Sequence, residues 1–452
     1  MSKTPYKTSI RPGDIKVFKI SGSNGQSVDI SGSIGEFYYY ESILSNTVTA
    51  TVAFIDTGFE SEGGSNLGKT SGIVDQLELV GGEEVEFEVT DNSESGEELT
   101  SEICDSDKMY VKSIRAVSTQ ATKKVFILDL VSKEYWLNEE TRVTKRYDGN
   151  PSSHVTDILS DLLEVSAIDV EQSSSDYSFI GNTKKPLYTC TWLASKSSTS
   201  ETASDDPKKG TLDSVSAGFF FFQTRDKYYF KSIDTLSGQQ VKSGRDFIYN
   251  NTGKEPKGGI GGNKVNILEY AAPQQTDIGK DLSLGVYNNK SIFFDPYSLS
   301  IKRVNFSFDK DKKDKVKLLN EKTNNPEKVI TEKPSRLMFS ILDVGTLPQG
   351  QNLKDDVEDP SYNTRSLDSM VQSVMRYNEL FRTKINIIIP ADFSIRAGDV
   401  VNCTFVNLNT QVSGGSETLS GKFIVANICH RVNSQQALSS LDIIRDSLGE
   451  VD

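Results

Sequence analysis

Apolar residues recur at every second position in short runs along this chain, the period of strands with one buried face. Ile15-Lys-Val17-Phe-Lys-Ile20 and Val28-Asp-Ile30 flank a Gly22-Ser-Asn-Gly25 turn, and alternation resumes over Ile34 to Tyr40 and Val48 to Phe54. The Tyr38-Tyr39-Tyr40 run reads as strand packing, not a ligand platform. The period changes at Pro151-Ser152-Ser153-His154-Val155, which predicts a helix with a hydroxyl cap; Val155, Ile158, Leu159 and Leu162 form its apolar face, through Leu163. Gly218-Phe-Phe-Phe-Phe222 to Tyr228-Tyr229-Phe230 predicts a hairpin turning at Asp226-Lys227. A second helix is predicted from Ser366 to Phe381, with Met370, Val374, Tyr377 and Leu380 or Phe381 on one face.

One pattern occurs twice. Leu79-Val-Gly-Gly82-Glu83-Glu-Val85-Glu-Phe87-Glu-Val89 lines up with Ile395-Arg-Ala-Gly398-Asp399-Val-Val401-Asn-Cys403-Thr-Phe405. Val111, Ile114, Val117 and Gln120 then fall on Val425, Ile428, Val432 and Gln435, with one residue of slip, and Leu128-Asp129-Leu130 answers Leu441-Asp442-Ile443. Either the chain is duplicated or it holds two generic antiparallel meanders. Both readings give two small β-barrels, one early and one late. Gly82 and Gly398 are turn positions, not a site.

The chain has 452 residues, enough for several cores, and its Gly-rich, β-prone composition argues for a mainly β protein with helical insertions. No stretch approaches the roughly 20 apolar residues of a spanning helix, and the N-terminal residues lack an apolar signal region, so export by the secretory route is not expected. Cys104, Cys190, Cys403 and Cys429 are scattered without CxxC spacing, as expected of reduced thiols. The net charge of −13 gives no sign of a phosphate-tracking surface.

Candidate chemistry is thin. With only His154 and His430, no nucleophile–base arrangement can be built without one of them. His154 is expected at the surface or partly packed. His430 and Cys429 are strand neighbours pointing to opposite faces, so they do not share a metal. The acidic loop Asp91–Glu98 lacks the spacing of a calcium loop. Gly258-Gly259-Ile-Gly261-Gly262-Asn-Lys264 lacks the Ser or Thr and the strand–loop–helix order of a phosphate cradle. No catalytic, cofactor-binding or metal-ligating residue is singled out, and no cofactor is expected. Ser197–Gly210 and the charged 309–333 stretch read as solvated insertions.

The late part of the chain carries Met375-Arg376-Tyr377, Ile387-Ile-Ile-Pro390-Ala-Asp392-Phe-Ser-Ile395-Arg-Ala-Gly398-Asp399-Val400-Val401, Gly421-Lys-Phe-Ile-Val425, Ile428-Cys-His430 and Ile444-Arg445-Asp446-Ser447. Together these segments resemble the central baseplate hub proteins of contractile-tailed bacteriophages, the T-even phage hub being the reference case. The middle helix, the Phe-rich hairpin, Asn266–Tyr270, Gly285-Val-Tyr287 and Phe294-Asp295-Pro296 follow in the family's order. The hub domain of type VI secretion spike proteins is a more distant relative.

The resemblance implies two similar antiparallel β-barrel tube domains and a smaller α/β middle domain per chain. Three chains would close a ring of pseudo-sixfold symmetry, joining a trimeric spike to a hexameric tail tube around a channel for DNA. The implied partners are two further copies, the spike, and the tube or its initiator, with the tape measure protein and baseplate wedge beyond; the implied location is the virion's tail baseplate, assembled in the host cytoplasm. On this basis the expected domains are 1–140 (first barrel), 141–236 (middle), 237–285 with 370–447 (second barrel) and 286–369 (inserted), with 448–452 as a tail. Alternatives are a secretion-system spike hub, a peripheral β-rich adhesin and, least supported, a cell-wall glycosidase.

Overall fold

The computed structural model describes residues 6–7, 11–57, 72–91, 97–119, 123–174, 176–199, 216–241, 245–249, 264–274, 277–296, 299–307, 318–320, 333–343, 345–346, 371–405 and 419–447. The acidic loop centre, most of the Ser197–Gly210 stretch, the Gly/Lys loop before Lys264 and residues 366–370 lie outside them.

The first part of the chain forms strands β1 (Tyr6–Lys7), β2 (Asp14–Ser21), β3 (Ser27–Asp29), β4 (Ile34–Ser42) and β5 (Thr49–Asp56). After helix α1 (Ile73–Leu77) come β6 (Glu84–Thr90), β7 (Glu98–Thr100), β8 (Met109–Thr119) and β9 (Lys124–Val131). The alternation is obeyed closely: in β5 every second residue, from Ala50 to Phe54, is buried. One face of these strands converges on a core of Phe18, Phe37, Phe54, Phe87, Val89 and Leu128.

The middle of the chain is helical and mixed. It holds α2 (Lys133–Glu140), β10 (Arg146–Tyr147), α3 (Pro151–Leu163), β11 (Ile168–Val170), β12 (Phe179–Ile180), α4 (Pro186–Ala194), β13 (Phe219–Gln223), β14 (Tyr228–Ser232) and α5 (Ile233–Ser237). α3 buries Val155, Ile158, Leu159 and Leu163 as its pattern requires. Its cap, however, is not a hydroxyl: the Asn150 side chain accepts from the Ser153 N–H at 2.9 Å, and Pro151 takes the first helical position, where no donor is lost. The β13–β14 hairpin bends at Arg225-Asp226, one residue before the predicted position, with the Thr224 N–H donating to the Lys227 carbonyl.

The last part supplies β15 (Asp246–Tyr249), β16 (Lys264–Asn266), β17 (Glu269–Gln274), α6 (Ile278–Leu284), β18 (Asn288–Asp295), β19 (Ser300–Ser307) and β20 (Arg336–Ile341). A helix, α7, is described over 371–380, followed by β21 (Thr383–Pro390), β22 (Val400–Phe405), β23 (Gly421–Val432) and β24 (Ala437–Arg445). In α7 the buried residues include Val371, Met375 and Leu380, whereas Val374 is exposed, which corrects the predicted face by a fraction of a turn. β18, β19 and β20 make a small separate sheet.

The protein is mainly β, as expected. β3-β2-β6-β8-β9-β5-β4 run on through β23 into β24-β21-β17 on one side and β22-β15-β16-β1 on the other. One detail departs from the antiparallel expectation. The sheet is mixed: β15 runs parallel to β22 and β16, and β1 parallel to β16. Such pairing needs a long connection between neighbours, and β15 and β22 are separated by all the elements from β16 to β21. One bent segment, 264–274, meets β15 through β16 and β21 through β17, with the Leu268 N–H donating to Ile388, so the second half runs β15-β22-β23-β24-β21 and back to that segment. The backbone of residues 11–13 meets the β23–β24 turn, with the Gly13 N–H donating to Asn433 and the Ala437 N–H to Arg11. Gly13 fits there because a Cβ would lie 2.1 Å from the Val432 side chain.

Candidate functional site: the seam between two repeated sheets

The alignment of Gly82 with Gly398 is a structural equivalence. Both glycines sit at positive φ, 91° and 89°. Gly82 donates to the Val111 carbonyl at 2.7 Å, and the Val111 N–H donates to Glu83 at 2.9 Å. Gly398 donates to Val425 at 2.8 Å, and Val425 donates back to Asp399 at 2.9 Å. In each turn the carboxylate folds onto the backbone N–H three residues earlier, Glu83 onto Val80 and Asp399 onto Arg396.

The equivalence continues into the strands. β8 carries a bulge between Val111 and Ser113, and β23 carries one between Val425 and Asn427, the matching place. After each bulge a polar side chain reaches an aspartate on the next strand: Ser113 to Asp129 at 2.6 Å, Asn427 to Asp442 at 2.8 Å. Each aspartate also accepts from the strand beyond, Asp129 from Thr51 and Asp442 from Asn386. Thus β4-β5-β9-β8-β6 corresponds to β17-β21-β24-β23-β22, all antiparallel. The proposed match of Val117 with Val432 fails: a second bulge, between Ala116 and Ser118, leaves Val117 62% exposed, whereas Val432 is fully buried. Gln120 lies outside the described residues.

The two units join at β4 and β23. The first residues of β23 pair with β22; from Asn427 to Val432 that edge pairs with Ser42 to Phe37, antiparallel. Arg431 forms an ion pair with Glu36, and Ser42 donates to Asn427. Tyr39 is buried and points inward beside His430, while Tyr38 and Tyr40 stack on the outer face at 6.3 Å.

Beneath the seam lies a buried charged cluster that the sequence did not reveal. Glu41 accepts from the Arg225 N–H (2.9 Å), the Ala397 N–H (3.2 Å) and the Tyr39 hydroxyl (3.3 Å). Burial pushes its carboxyl above the usual range, against the pull of Arg396. Arg396 reaches outward to the exposed Asp226 at 2.9 Å, and the buried Arg245 reaches the buried Asp392 at 3.0 Å. For Asp226 burial acts upward, but the charge and hydrogen bond of Arg396, with Arg225 and Lys227, hold the carboxyl below its ordinary value. The hairpin also sends Gln223 inward, where its side chain accepts from the Val48 N–H and the Ser132 hydroxyl and donates to Glu134. One hairpin therefore locks the middle segment to both sheet units.

His430 is buried here, its Nδ1 2.7 Å from the Ser439 hydroxyl, and Cys429 lies on the opposite face toward Tyr40, as strand geometry requires. His154 is also buried, which corrects the surface expectation: Gly149 and Tyr177 carbonyls lie 3.1 and 3.0 Å from its Nε2, and Tyr147 and Phe179 pack on its ring. Burial pushes the Cys104, Cys190 and Cys403 thiols upward and that of Cys429 to about 11, away from thiolate chemistry at neutral pH. Among the described residues no three His, Cys, Asp or Glu side chains gather to hold a metal ion. The arrangement joins sheets.

No family model matches the chain, and no curated protein matches it by sequence. Among solved structures it is similar to the tail protein from Neisseria meningitidis MC58, at 7% identity and a TM-score of 0.51, over 97% of this chain and 98% of that one. The 43 kDa tail protein of prophage MuSo2 from Shewanella oneidensis aligns at 10% identity and a TM-score of 0.49, over 96% and 98% of the two chains. The chain shares the fold of the Neisseria tail protein over nearly its whole length.

Proposed function

We propose that this protein is a non-enzymatic baseplate hub of a contractile phage tail. In this role three copies close a ring, joining a trimeric spike below to a hexameric tail tube above and leaving a channel for DNA. The observation that carries the reading is the repeated five-strand unit. Two equivalent units per chain present six similar surfaces in a trimer, which is what a threefold-to-sixfold junction needs. The fold shared with a tail protein supports the same role. The divisions 1–140, 141–236, 237–285 with 370–447, and 286–369 belong to this proposal. So does an acidic channel wall, motivated by the net charge of −13, past which DNA slides without counterion-releasing contacts.

The test is the mass of the purified protein in solution, with negative-stain imaging. A trimer of 49.9 kDa chains seen as a ring with a central hole and near-sixfold outline is the expected result. A chain that stays monomeric even when co-expressed with its spike overturns it and favours a peripheral adhesin. A ring with a basic inner wall removes the channel part alone.

A further inference from the structure

The internal seam has two counterparts that do not meet within one chain. β4 has both edges covered, one by β5 and the other by β23. Its equivalent β17 pairs with β21 on one edge only, and no strand among those described covers the other. β23 spends its C-terminal half on β4; its equivalent β8 pairs with β6 only at Met109 and Tyr110. From Ser113 to Thr119 the outer edge of β8 has no ladder partner among the described strands, and Arg115 to Thr119 are exposed. β17 and β8 stand at opposite ends of the run β17-β21-β24-β23-β4-β5-β9-β8. Unpaired edges of this length invite another strand.

We propose that β8 of one copy pairs antiparallel with β17 of a second copy, in the register that β23 and β4 already use within the chain. The proposal rests on the hub-ring reading and supplies its subunit interface. The register follows from the equivalences. Thr51 and Asn386 are matched through their aspartates, so Tyr38, opposite Thr51, corresponds to Ala271, opposite Asn386. Phe37 then corresponds to Tyr270, and both rings point into their own cores. Arg431 and Ser118 match through their partners Leu438 and Val125 on the next strands. Arg431 lies opposite Tyr38 in the seam, which sets Ser118 opposite Ala271; likewise His430 opposite Tyr39 sets Ala116 opposite Ala272. Small residues stand at all four of these positions, so the backbones can approach. Pro273 lacks a donor and limits the pairing to Glu269–Ala272. The exposed Val117 at the second bulge lies beside this edge and is covered by the incoming strand.

The test is a pair of cysteines in the full chain, Ser118→Cys with Ala271→Cys, oxidised and run without reductant. The expected result is a covalent ladder that stops at three chains and needs both substitutions, since either single variant lacks a partner thiol at the seam. A charge pair gives a readout free of disulfide geometry: Ser118→Lys with Ala271→Lys weakens assembly by tenfold or more, and Ser118→Lys with Ala271→Glu restores it. A trimer by mass that neither cross-links nor responds to the charge pair overturns the seam and leaves the hub reading standing. A ladder running past three chains upholds the seam and overturns the three-copy ring. Loss of both, with the chain monomeric beside its spike, overturns both.

Discussion

His430 has the surroundings most at odds with its ordinary chemistry. Burial pushes its pKa down to about 3; the nearby charges of Arg396, Arg225 and Arg245 act the same way, against Asp392. The imidazole is therefore neutral in the fold but titrates near 6.5 once unfolded. Because the folded value is the lower one, the unfolded chain binds the extra proton between these limits. The contribution is complete above about pH 6.5 and is lost as pH falls toward about 3, at about 1.4 kcal/mol per pH unit. His430→Gln should remove that slope from denaturant melts taken between pH 6 and 4, whatever it does to stability at pH 7. An unchanged slope would place the acid sensitivity elsewhere, for example at His154, which burial also lowers.

At the scale of elements, the two repeated turns make a controlled comparison. Both glycines hold a left-handed backbone, where a side chain costs about 1–2 kcal/mol. A Cβ on Gly82 meets nothing within 4 Å, whereas one on Gly398 comes within 3.0 Å of the Phe222 ring, itself wedged in a buried cluster. Gly398→Ala should therefore lower the melting temperature more than Gly82→Ala, and equal losses would show that the ring yields without cost. These turns were legible in the sequence because a Gly-acidic pair between alternating runs has one structural meaning. The bulges and their aspartates were legible only as Leu-Asp-Leu and Leu-Asp-Ile echoes. The seam and the Glu41–Arg396 cluster were not. Pairing between Ser42 and Asn427 leaves no local trace, and the cluster gathers Glu41, the Arg225-Asp226 turn, Arg245 and the Asp392–Arg396 stretch from four separate segments. His154 misled for a related reason: its helix turn is amphipathic, but the Tyr147 and Phe179 rings that bury it come from strands on either side. The parallel ladders of β15 were hidden too, since a four-residue strand carries no sign of direction.

For the whole molecule, the seam means that neither sheet unit is self-sufficient. β23 completes the edge of the first while belonging to the second, and the first core includes Phe393, Val432 and Ala437. Deleting residues 419–452 should therefore damage the N-terminal half as well as the C-terminal one. Protease protection of the Ile34–Ser42 region should fall to that of the unfolded chain; persistence of a protected N-terminal fragment would show that the first unit stands alone.

The same shared strand also sets a timetable for the growing chain. Ser42 and its partner Asn427 are 385 positions apart. At about 5–20 residues per second, β4 leaves the ribosome about 20–80 s before the strand that covers it exists. Throughout that interval nascent chains on one message carry the same bare edge, and the hazard is mutual adhesion before any copy is finished. The tyrosine-rich edge that makes the finished protein one piece is thus its greatest exposure while it is being made.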